Sequence, residues 1–258
     1  MATARAMPVP WQNGYPTSDG KPMAETDWHR ELMTDLIRTL KAWYAKRRVY
    51  VSGNLLLFYE PGNRRRHICP DVFVVKGIAK HERPNYLLWE ERKGPEVVIE
   101  LTSSSTRRED IEDKYRLYRG TLHVKEYFLF DPLGDYLQPP LQGHRLRHGD
   151  YQPIRFVDGR LPSQVLGLHL ERNGRELRLY DLVTGRRLPT PSEAAAQAET
   201  ARRQEEAARR QAEAVSQHAE AARQQAEAAR QQAERENEQL RRELAALRCR
   251  LPKNHRTG

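Results

Sequence analysis

The chain has 258 residues, a formal net charge of +9 and 31% charged residues, which allow one ordinary domain plus an appendage. The positive excess lies mostly in the first 191 residues, with 31 Lys/Arg against 24 Asp/Glu, whereas residues 192–258 hold 13 and 11. Two cysteines without ligand-like spacing argue against a structural zinc or a disulfide framework. Because no segment has the pattern of a secretory leader or a membrane span, we expect a cytoplasmic protein with no membrane partner.

The first half of the chain predicts an arm, an amphipathic helix and several apolar strands. Residues 1–24 are rich in Pro, Gly and polar residues, which is typical of a flexible N-terminal arm. Thr26 can then cap a helix. One stripe of this helix carries its large apolar residues, which are Trp28, Leu32, Leu36, Leu40 and Trp43. Two strand-like pieces interrupted at residues 52–54 follow, and an arginine-rich turn precedes Pro70, Asp71 and the apolar strand that Asp71 opens.

The stretch from Glu96 to Tyr118 joins a strand to a helix. The strand EVVIEL is apolar at nearly every position, as expected where both faces of a sheet are covered, yet it carries Glu100. Thr106 and Glu109 then form a predicted capping box for a charged helix that carries Lys114. The predicted apolar face of this helix consists of Ile111, Tyr115 and Tyr118.

The remaining pattern up to residue 191 consists of short strands. After EYFLFD, hairpin turns are predicted at Gly149-Asp150 and around Asn173-Gly174. A strand, a helix and a strand followed by a β-rich extension predict an α/β fold, with a mixed sheet flanked by helices over residues 25–191.

Residues 192–250 are mostly Ala, Glu, Gln and Arg, with AEAARQQ repeated at 219–225 and 226–232. A heptad seam results, with position a at Ala212, Ala219, Ala226, Ala233, Leu240 and Leu247, and position d at Ala208, Val215, Ala222 and Ala229. The d positions fail at Glu236 and Glu243, where a local shift onto the C-terminal leucines restores the seam. We predict a long coiled-coil helix that forms a homodimer, with a lone solvated helix as the alternative, and a disordered tail at 251–258.

Two carboxylates and one lysine predict a site for phosphodiester hydrolysis. Such hydrolysis needs the charge on phosphorus to be neutralised and a water to be activated, and a divalent ion held by oxygen ligands does both. Asp71 and Glu100 are suitable ligands for Mg²⁺ or Mn²⁺, and Lys114 can hold the water or stabilise the transition state. The prediction requires the two strands to be neighbours and the helix to fold back beside them.

Each of these residues has a structural alternative. Asp71 could simply start a strand, and Glu100 could be an internally paired carboxylate. Lys114 could form a surface ion pair with Asp110, four residues before it.

Further polar residues have weaker claims on the site. Glu96 is either a surface strand start or a third ligand, and Glu31 is either on a solvated helix face or a carboxylate supplied from the first helix. The turn at residues 103–106 is expected to make capping and loop hydrogen bonds, although one of its hydroxyls could reach a phosphate. Candidates for contacts to a phosphate backbone, each equally suited to a solvated surface, are Arg64, Arg65, Arg66, Arg107 and Arg108.

The order of these blocks resembles the Uma-two family of restriction-endonuclease-like proteins, within the PD-(D/E)xK nuclease superfamily. PDVFVV, EVVIELTSSSTRREDIEDKYRLY and EYFLFDP carry the resemblance, which covers roughly residues 25–190; the alanine-rich tail is also similar to the tails of some members. The resemblance implies a restriction-endonuclease-like core with Asp71 and Glu100 as metal ligands. The nominal E-x-K pattern would place the lysine at Thr102, whereas the Uma-two pattern places it on the next helix, which matches Lys114.

The sequence therefore predicts an endonuclease that hydrolyses DNA and depends on Mg²⁺ or Mn²⁺, with Asp71, Glu100 and Lys114 as its catalytic residues. The alternative is a catalytically silent module that binds nucleic acid or assembles partners through its coiled coil. A weaker possibility is an enzyme acting on RNA or on a small phosphodiester. Convergence of the three side chains in one cleft favours the enzyme, and dispersal of Lys114 favours the silent module.

Overall fold

The chain divides into two compact units, residues 1–194 and residues 195–258. The structure is a computed structural model that describes residues 14–18, 26–103, 108–135 and 137–250. Most of the predicted N-terminal arm and all of residues 251–258 lie outside these ranges, and so do Arg107 and the predicted capping residue Thr106.

The helices and strands follow the predicted order. The helices are α1 (Asp27–Trp43), α2 (Leu88–Glu91), α3 (Tyr115–Gly120) and α4 (Pro191–Arg250), and a π-helical segment at Glu109–Lys114 leads into α3. The strands are β1 (Val49–Ser52), β2 (Leu57–Phe58), β3 (His67–Ile68), β4 (Val72–Lys76), β5 (Tyr86–Leu87), β6 (Val97–Leu101), β7 (Glu126–Phe130), β8 (Leu141–Arg147), β9 (Asp150–Pro153), β10 (Leu161–Ser163), β11 (Leu168–Asn173), β12 (Glu176–Asp181) and β13 (Arg186–Arg187).

A six-stranded mixed sheet in the order β1-β4-β6-β7-β8-β9 forms the centre of the first unit. Strands β6 and β7 are parallel, and the other neighbouring pairs of this sheet are antiparallel. Parallel neighbours need a crossover connection. The chain between β6 and β7 therefore leaves the sheet and returns, and this connection carries the π-helical segment and α3. The predicted mixed α/β fold is confirmed.

Strand β6 is buried on both faces, as its apolar run predicts. The residues that pack in the same core as α1 are Val97, Ile99 and Leu101. Val98 packs on the other face, in the core that contains Tyr118 of α3. Because side chains alternate along a strand, Glu100 shares the face of Val98, and its side chain is 0% exposed. A charged group in this position needs partners, since burial of an unpaired carboxylate is costly.

Two smaller sheets complete the first unit. Strands β10 to β13 form a four-stranded antiparallel sheet, and β3, β2 and β5 form a three-stranded one. The two strand-like pieces interrupted at residues 52–54 are thus β1 and β2, which belong to different sheets.

The hairpin predicted at Gly149-Asp150 exists, but its turn lies one residue earlier. Asp150 pairs with Arg147, so His148 and Gly149 form the turn, with φ of 52° and 84°. A two-residue turn of this kind needs positive φ at both central positions, and His148 and Gly149 both adopt it.

Helix α4 begins with a capping box that the sequence reading missed. Thr190 Oγ1 accepts a hydrogen bond from the Glu193 backbone N at 3.3 Å, and Glu193 Oε2 accepts one from the Thr190 backbone N at 2.8 Å. The Glu193 carboxylate also lies 2.5 Å from the Arg178 guanidinium of β12.

The predicted long helix is confirmed. Every side chain from residue 195 to 246 is exposed. Self-association through this helix stays a prediction. None of the helices in the described part of the chain has both the length and the apolarity required to span a membrane.

Candidate active site

Asp71 lies just before β4, opposite Glu100 of β6. The antiparallel register pairs Val72 with Ile99, which places the two acids side by side. Asp71 Oδ2 accepts a hydrogen bond from the Leu101 backbone N at 2.7 Å, and the Asp71 backbone N donates to Glu100 Oε2 at 3.3 Å. Each carboxylate is thus held by the backbone of the opposite strand.

The loop after β1 fixes the backbone of Asp71. The Asn54 N donates to the Pro70 carbonyl at 2.8 Å. At Gly53 an added Cβ would lie 1.8 Å from the Asp71 carbonyl oxygen. Only glycine permits this close approach of two backbones. The sequence predicts residues 52–54 only as an interruption between two strands. In the structure, Gly53 and Asn54 hold the backbone of Pro70 and Asp71 in place.

Both carboxylate oxygens of Glu100 are hydrogen-bonded. Oε1 accepts from the Tyr118 hydroxyl at 2.6 Å, and Oε2 accepts from Lys114 Nζ at 2.9 Å. Tyr118 was predicted to be part of the core only. It is fully buried, but its hydroxyl also orients Glu100.

Lys114 reaches the acids from the π-helical segment. Its Nζ lies 2.8 Å from Asp110 Oδ1 and 2.9 Å from Glu100 Oε2, and the lysine is 7% exposed. The i,i+4 pair with Asp110 that the sequence offered as a surface alternative therefore exists, but it is buried and joined to Glu100. Thr102, at the nominal lysine position, instead bonds the Phe130 carbonyl through its Oγ1 at 3.3 Å.

A buried polar stripe runs along the helical part of the connection between β6 and β7. It consists of Asp110, Lys114 and Tyr118, spaced four residues apart. The predicted apolar face of Ile111, Tyr115 and Tyr118 packs against the same core, with Tyr118 fully buried and Ile111 and Tyr115 partly buried at its margin. The expected regular helix is also a π-helix in its first six residues, and such segments are frequent at functional sites.

His29 is a member of the site that the sequence reading missed. Its Nε2 lies 3.7 Å from Asp71 Oδ2, with the side chains 13% and 18% exposed. The backbone N of His29 donates to the cap residue Thr26 at 3.2 Å, so the start of α1 places it. The sequence did contain a signal that His29 faces the interior. It precedes the buried residues Leu32 and Met33 by three and four positions and so shares their helix face.

The charges in this cluster do not balance. Three carboxylates, Asp71, Glu100 and Asp110, surround the single ammonium of Lys114. Burial raises the pKa of Glu100 well above its ordinary value against the pull of Lys114, and the neighbouring carboxylates add to the rise. Although burial opposes it, the neighbouring imidazole of His29 and the charge of Lys114 hold the pKa of Asp71 below its usual range. Burial likewise disfavours the ammonium, but the three acids raise the pKa of Lys114 well above normal.

Other predicted candidates lie elsewhere. Glu96 accepts hydrogen bonds from Lys125 Nζ at 2.7 Å and from the Lys76 backbone N at 3.1 Å. Glu31 is exposed and lines a cavity with Asp35, so it occupies a solvent-facing side of α1.

The described arginine candidates are all on the surface. Arg64, Arg65 and Arg66 lie in the turn between β2 and β3, and Arg66 lies 3.3 Å from Glu60. Arg108 lies 3.6 Å from Glu112.

Asp71 and Glu100 could together hold a hard divalent cation. Among the described residues, no group of three or more His, Cys, Asp and Glu side chains is arranged to hold a metal. Mg²⁺, however, usually keeps several waters and takes only one or two carboxylates. The excess of acids over cations in the cluster fits such an ion, and Glu100 Oε1, which accepts one hydrogen bond from Tyr118, has a second lone pair for a ligand bond.

A mixed sheet beside a cluster of acids and one lysine is the arrangement that the resemblance to restriction-endonuclease-like proteins implies. The chain matches the family model of Uma2, described as "Putative restriction endonuclease", over residues 13–181. Since this match covers more than half of its length, the chain belongs to the Uma2 family.

One solved structure similar to the chain is the crystal structure of "a putative nuclease belonging to DUF820 from Anabaena variabilis ATCC 29413". The two are 15% identical with a TM-score of 0.42, and the similarity covers 58% of this chain and 80% of that one. No curated protein matches the chain.

Proposed function

We propose that the chain is an endonuclease that hydrolyses DNA phosphodiester bonds with Mg²⁺ or Mn²⁺. The observation that supports this most strongly is the convergence of Asp71, Glu100 and Lys114 in one cluster, with Lys114 Nζ 2.9 Å from Glu100 Oε2. Membership of the Uma2 family supports the same class of chemistry.

The three side chains have distinct roles in this proposal. Asp71 and Glu100 hold the divalent ion, which when bound supplies charge neutralisation at the phosphate and an activated water. Lys114 stays cationic because its pKa is raised by the surrounding acids. Its role is therefore to orient the attacking water and to stabilise developing negative charge, rather than to remove a proton.

Tyr118 and His29 position the two acids. The Tyr118 hydroxyl fixes the rotamer of Glu100 through its 2.6 Å hydrogen bond. His29 stands beside the exposed side of Asp71, where it limits the directions from which a phosphate can approach.

A plasmid-nicking assay with Mg²⁺ or Mn²⁺ tests the proposal. We expect Asp71→Asn, Glu100→Gln and Lys114→Met each to reduce cleavage on the order of 100-fold or more, as loss of one charge-stabilising group does. Circular dichroism serves as the folding control. Cleavage at the wild-type rate by all three folded variants would exclude this site assignment.

The alternative, a catalytically silent module that binds nucleic acid, is favoured by one observation. Glu100 is 0% exposed and its oxygens already accept hydrogen bonds from Tyr118 and Lys114, so the cluster is self-contained. This alternative predicts metal-independent retention of DNA and no nicking with any ion. The same assay, run with a filter-binding measurement, separates the two functions.

We also propose that α4 pairs with a second copy of the chain. Its apolar side chains are exposed, with Val215 at 64%, Leu240 at 58% and Leu244 at 53%. These residues lie on the predicted heptad seam, which a partner helix would cover. Two nuclease units in one dimer would allow both strands of a duplex to be cut close together.

A further inference from the structure

A cavity of about 310 Å³ opens next to the acidic cluster. Its lining includes an apolar part formed by Trp28, Pro132 and Leu133, and a polar part that includes His29, Ser103 and Arg175. Leu133 is 50% exposed although it is a large apolar residue, so the apolar part is open to a ligand.

The cavity is continuous with the candidate active site. His29 lines it and also lies 3.7 Å from Asp71, so one side chain separates the cavity from the carboxylate. Ser103 follows β6, the strand of Glu100, by two residues, so the same strand end leads into both. A ligand whose reacting group sits at Asp71 would therefore place its neighbouring group in this cavity.

We propose that this cavity is a subsite for one nucleotide that adjoins the reacting phosphate of a DNA strand, with its base turned out of the stack. The inference rests on the proposed nuclease function and names where the flanking nucleotide binds. Trp28 and Leu133 offer a flat apolar surface for a base, since every base has a face that stacks on an aromatic ring. Arg175, which also lines the cavity, supplies the positive charge that a phosphate requires.

The composition of the cavity favours a nucleotide over a wholly apolar ligand. An aromatic and aliphatic wall combined with hydroxyl, imidazole and guanidinium groups suits a molecule with an apolar face, polar edges and negative charge. Arg175 is exposed in the turn between β11 and β12. It can therefore follow a phosphate without disturbing the sheet.

Binding of thymidine 5′-monophosphate to the full-length protein tests the subsite. Titration calorimetry without metal should detect binding, and Leu133→Ala should weaken it about fivefold through loss of apolar contact. Leu182→Ala is the matched control, because Leu182 is 60% exposed and lies outside this cavity. Equal affinity of wild type and Leu133→Ala would overturn the proposal, and so would binding of inorganic phosphate as tight as that of the nucleotide.

Tryptophan fluorescence gives a second readout that does not depend on loss of affinity. A base stacked on Trp28 should quench emission, and Trp28→Phe should remove this quenching while it keeps an aromatic surface and hence the binding. Quenching that persists unchanged in Trp28→Phe would contradict contact between the base and Trp28.

The binding experiment is independent of cleavage. It is performed on Asp71→Asn as well as wild type, since the subsite does not include Asp71. Nucleotide binding without DNA cleavage by the wild type would uphold the subsite and reject the nuclease. DNA cleavage without nucleotide binding would uphold the nuclease and reject the subsite.

Discussion

Two glutamates on neighbouring parallel strands are both fully buried, and their partners differ in kind. Glu126, the first residue of β7, accepts hydrogen bonds from Arg145 at 2.8 Å and from the Gln164 and Val165 backbone N atoms at 3.0 and 3.2 Å. The Ser163 hydroxyl is a further donor. One guanidinium and three neutral donors therefore satisfy one carboxylate, and they join β7 to the chain after β10.

Glu100 lies in a cluster where acids outnumber cations. It shares the Lys114 ammonium with Asp110 and lies beside Asp71, so three carboxylates face one lysine. Because both glutamates are fully buried, burial of a carboxylate alone does not mark a functional site. The balance of charge among its partners distinguishes Glu100 from Glu126, because an excess of buried negative charge must be relieved either by a proton, as the raised pKa of Glu100 indicates, or by a further cation.

The largest expected effect is on stability and belongs to Glu126. Glu126→Ala would leave the partly buried Arg145 without its counter-charge and three further donors without their acceptor, and we expect the free energy of unfolding to fall by about 3–5 kcal/mol. Glu60→Ala, which breaks the exposed pair with Arg66, should cost less than about 1 kcal/mol. Denaturant unfolding measures both, and a similar small loss for both variants would remove the structural role assigned to Glu126.

A glycine substitution should affect the Glu100 cluster through its neighbour Asp71. Gly53→Ala forces apart two backbones, which we expect to cost roughly 1–3 kcal/mol and to reduce cleavage about 100-fold as Asp71 moves. Gly120→Ala is the control, because an added Cβ there has nothing within 4 Å. If both alanine variants cleave DNA equally well, the position of Asp71 does not depend on Gly53.

The pH dependence of stability should report on the burial of Glu100. Glu100 has a folded-state pKa raised above its ordinary 4.5, so the folded protein binds this proton more tightly than the unfolded chain does. Its contribution to stability is therefore fully present below about pH 4.5 and is lost as pH rises through the raised pKa.

Since glutamine cannot ionise, Glu100→Gln should gain stability relative to wild type as pH is raised from 4.5 to 8. Chemical denaturation across this range is the measurement. A difference between the two proteins that does not vary with pH would contradict the raised pKa.

Substitutions in α4 should have the smallest effect on the surroundings of Glu100 and Glu126. Leu240→Glu combined with Leu244→Glu should abolish dimerisation by charge repulsion in the seam, while the stability of the first unit stays within about 0.5 kcal/mol. Gln217→Glu with Gln224→Glu adds the same charge outside the seam and should leave the dimer intact. Light scattering decides this, and a monomeric wild type would rule out pairing through α4.

Much of the fold follows from local pattern. The strands β4, β6 and β7 were predictable because unbroken apolar runs fit a sheet covered on both faces. The start of α1 was predictable from Thr26, since a threonine before an amphipathic run is a common cap. The hairpin turn at Gly149 was misplaced by one residue, because glycine can occupy either central position of a two-residue turn.

The candidate site was predictable only as a set of residues. Asp71, Glu100 and Lys114 could be named, whereas their distances depend on strand register and on a crossover that returns over β6. His29 lies far from Asp71 in sequence, and only tertiary packing brings the two together. Asp110 was predictable as the i,i+4 partner of Lys114, but the burial of this pair beside Glu100 was not. The π-helix was unpredictable because its stability comes from the buried contacts of Asp110 and Lys114 rather than from intrinsic propensity.

The capping box at Thr190 and Glu193 has a consequence for how the tail forms. Nucleation is the unfavourable step of helix formation, because several residues must be fixed before the first hydrogen bond is gained. Here the first turn is closed by side chains of the first unit, with Glu193 held by Arg178 of β12. Folding of the four-stranded sheet thus supplies the nucleus, and the alanine-rich chain that follows needs only to propagate it.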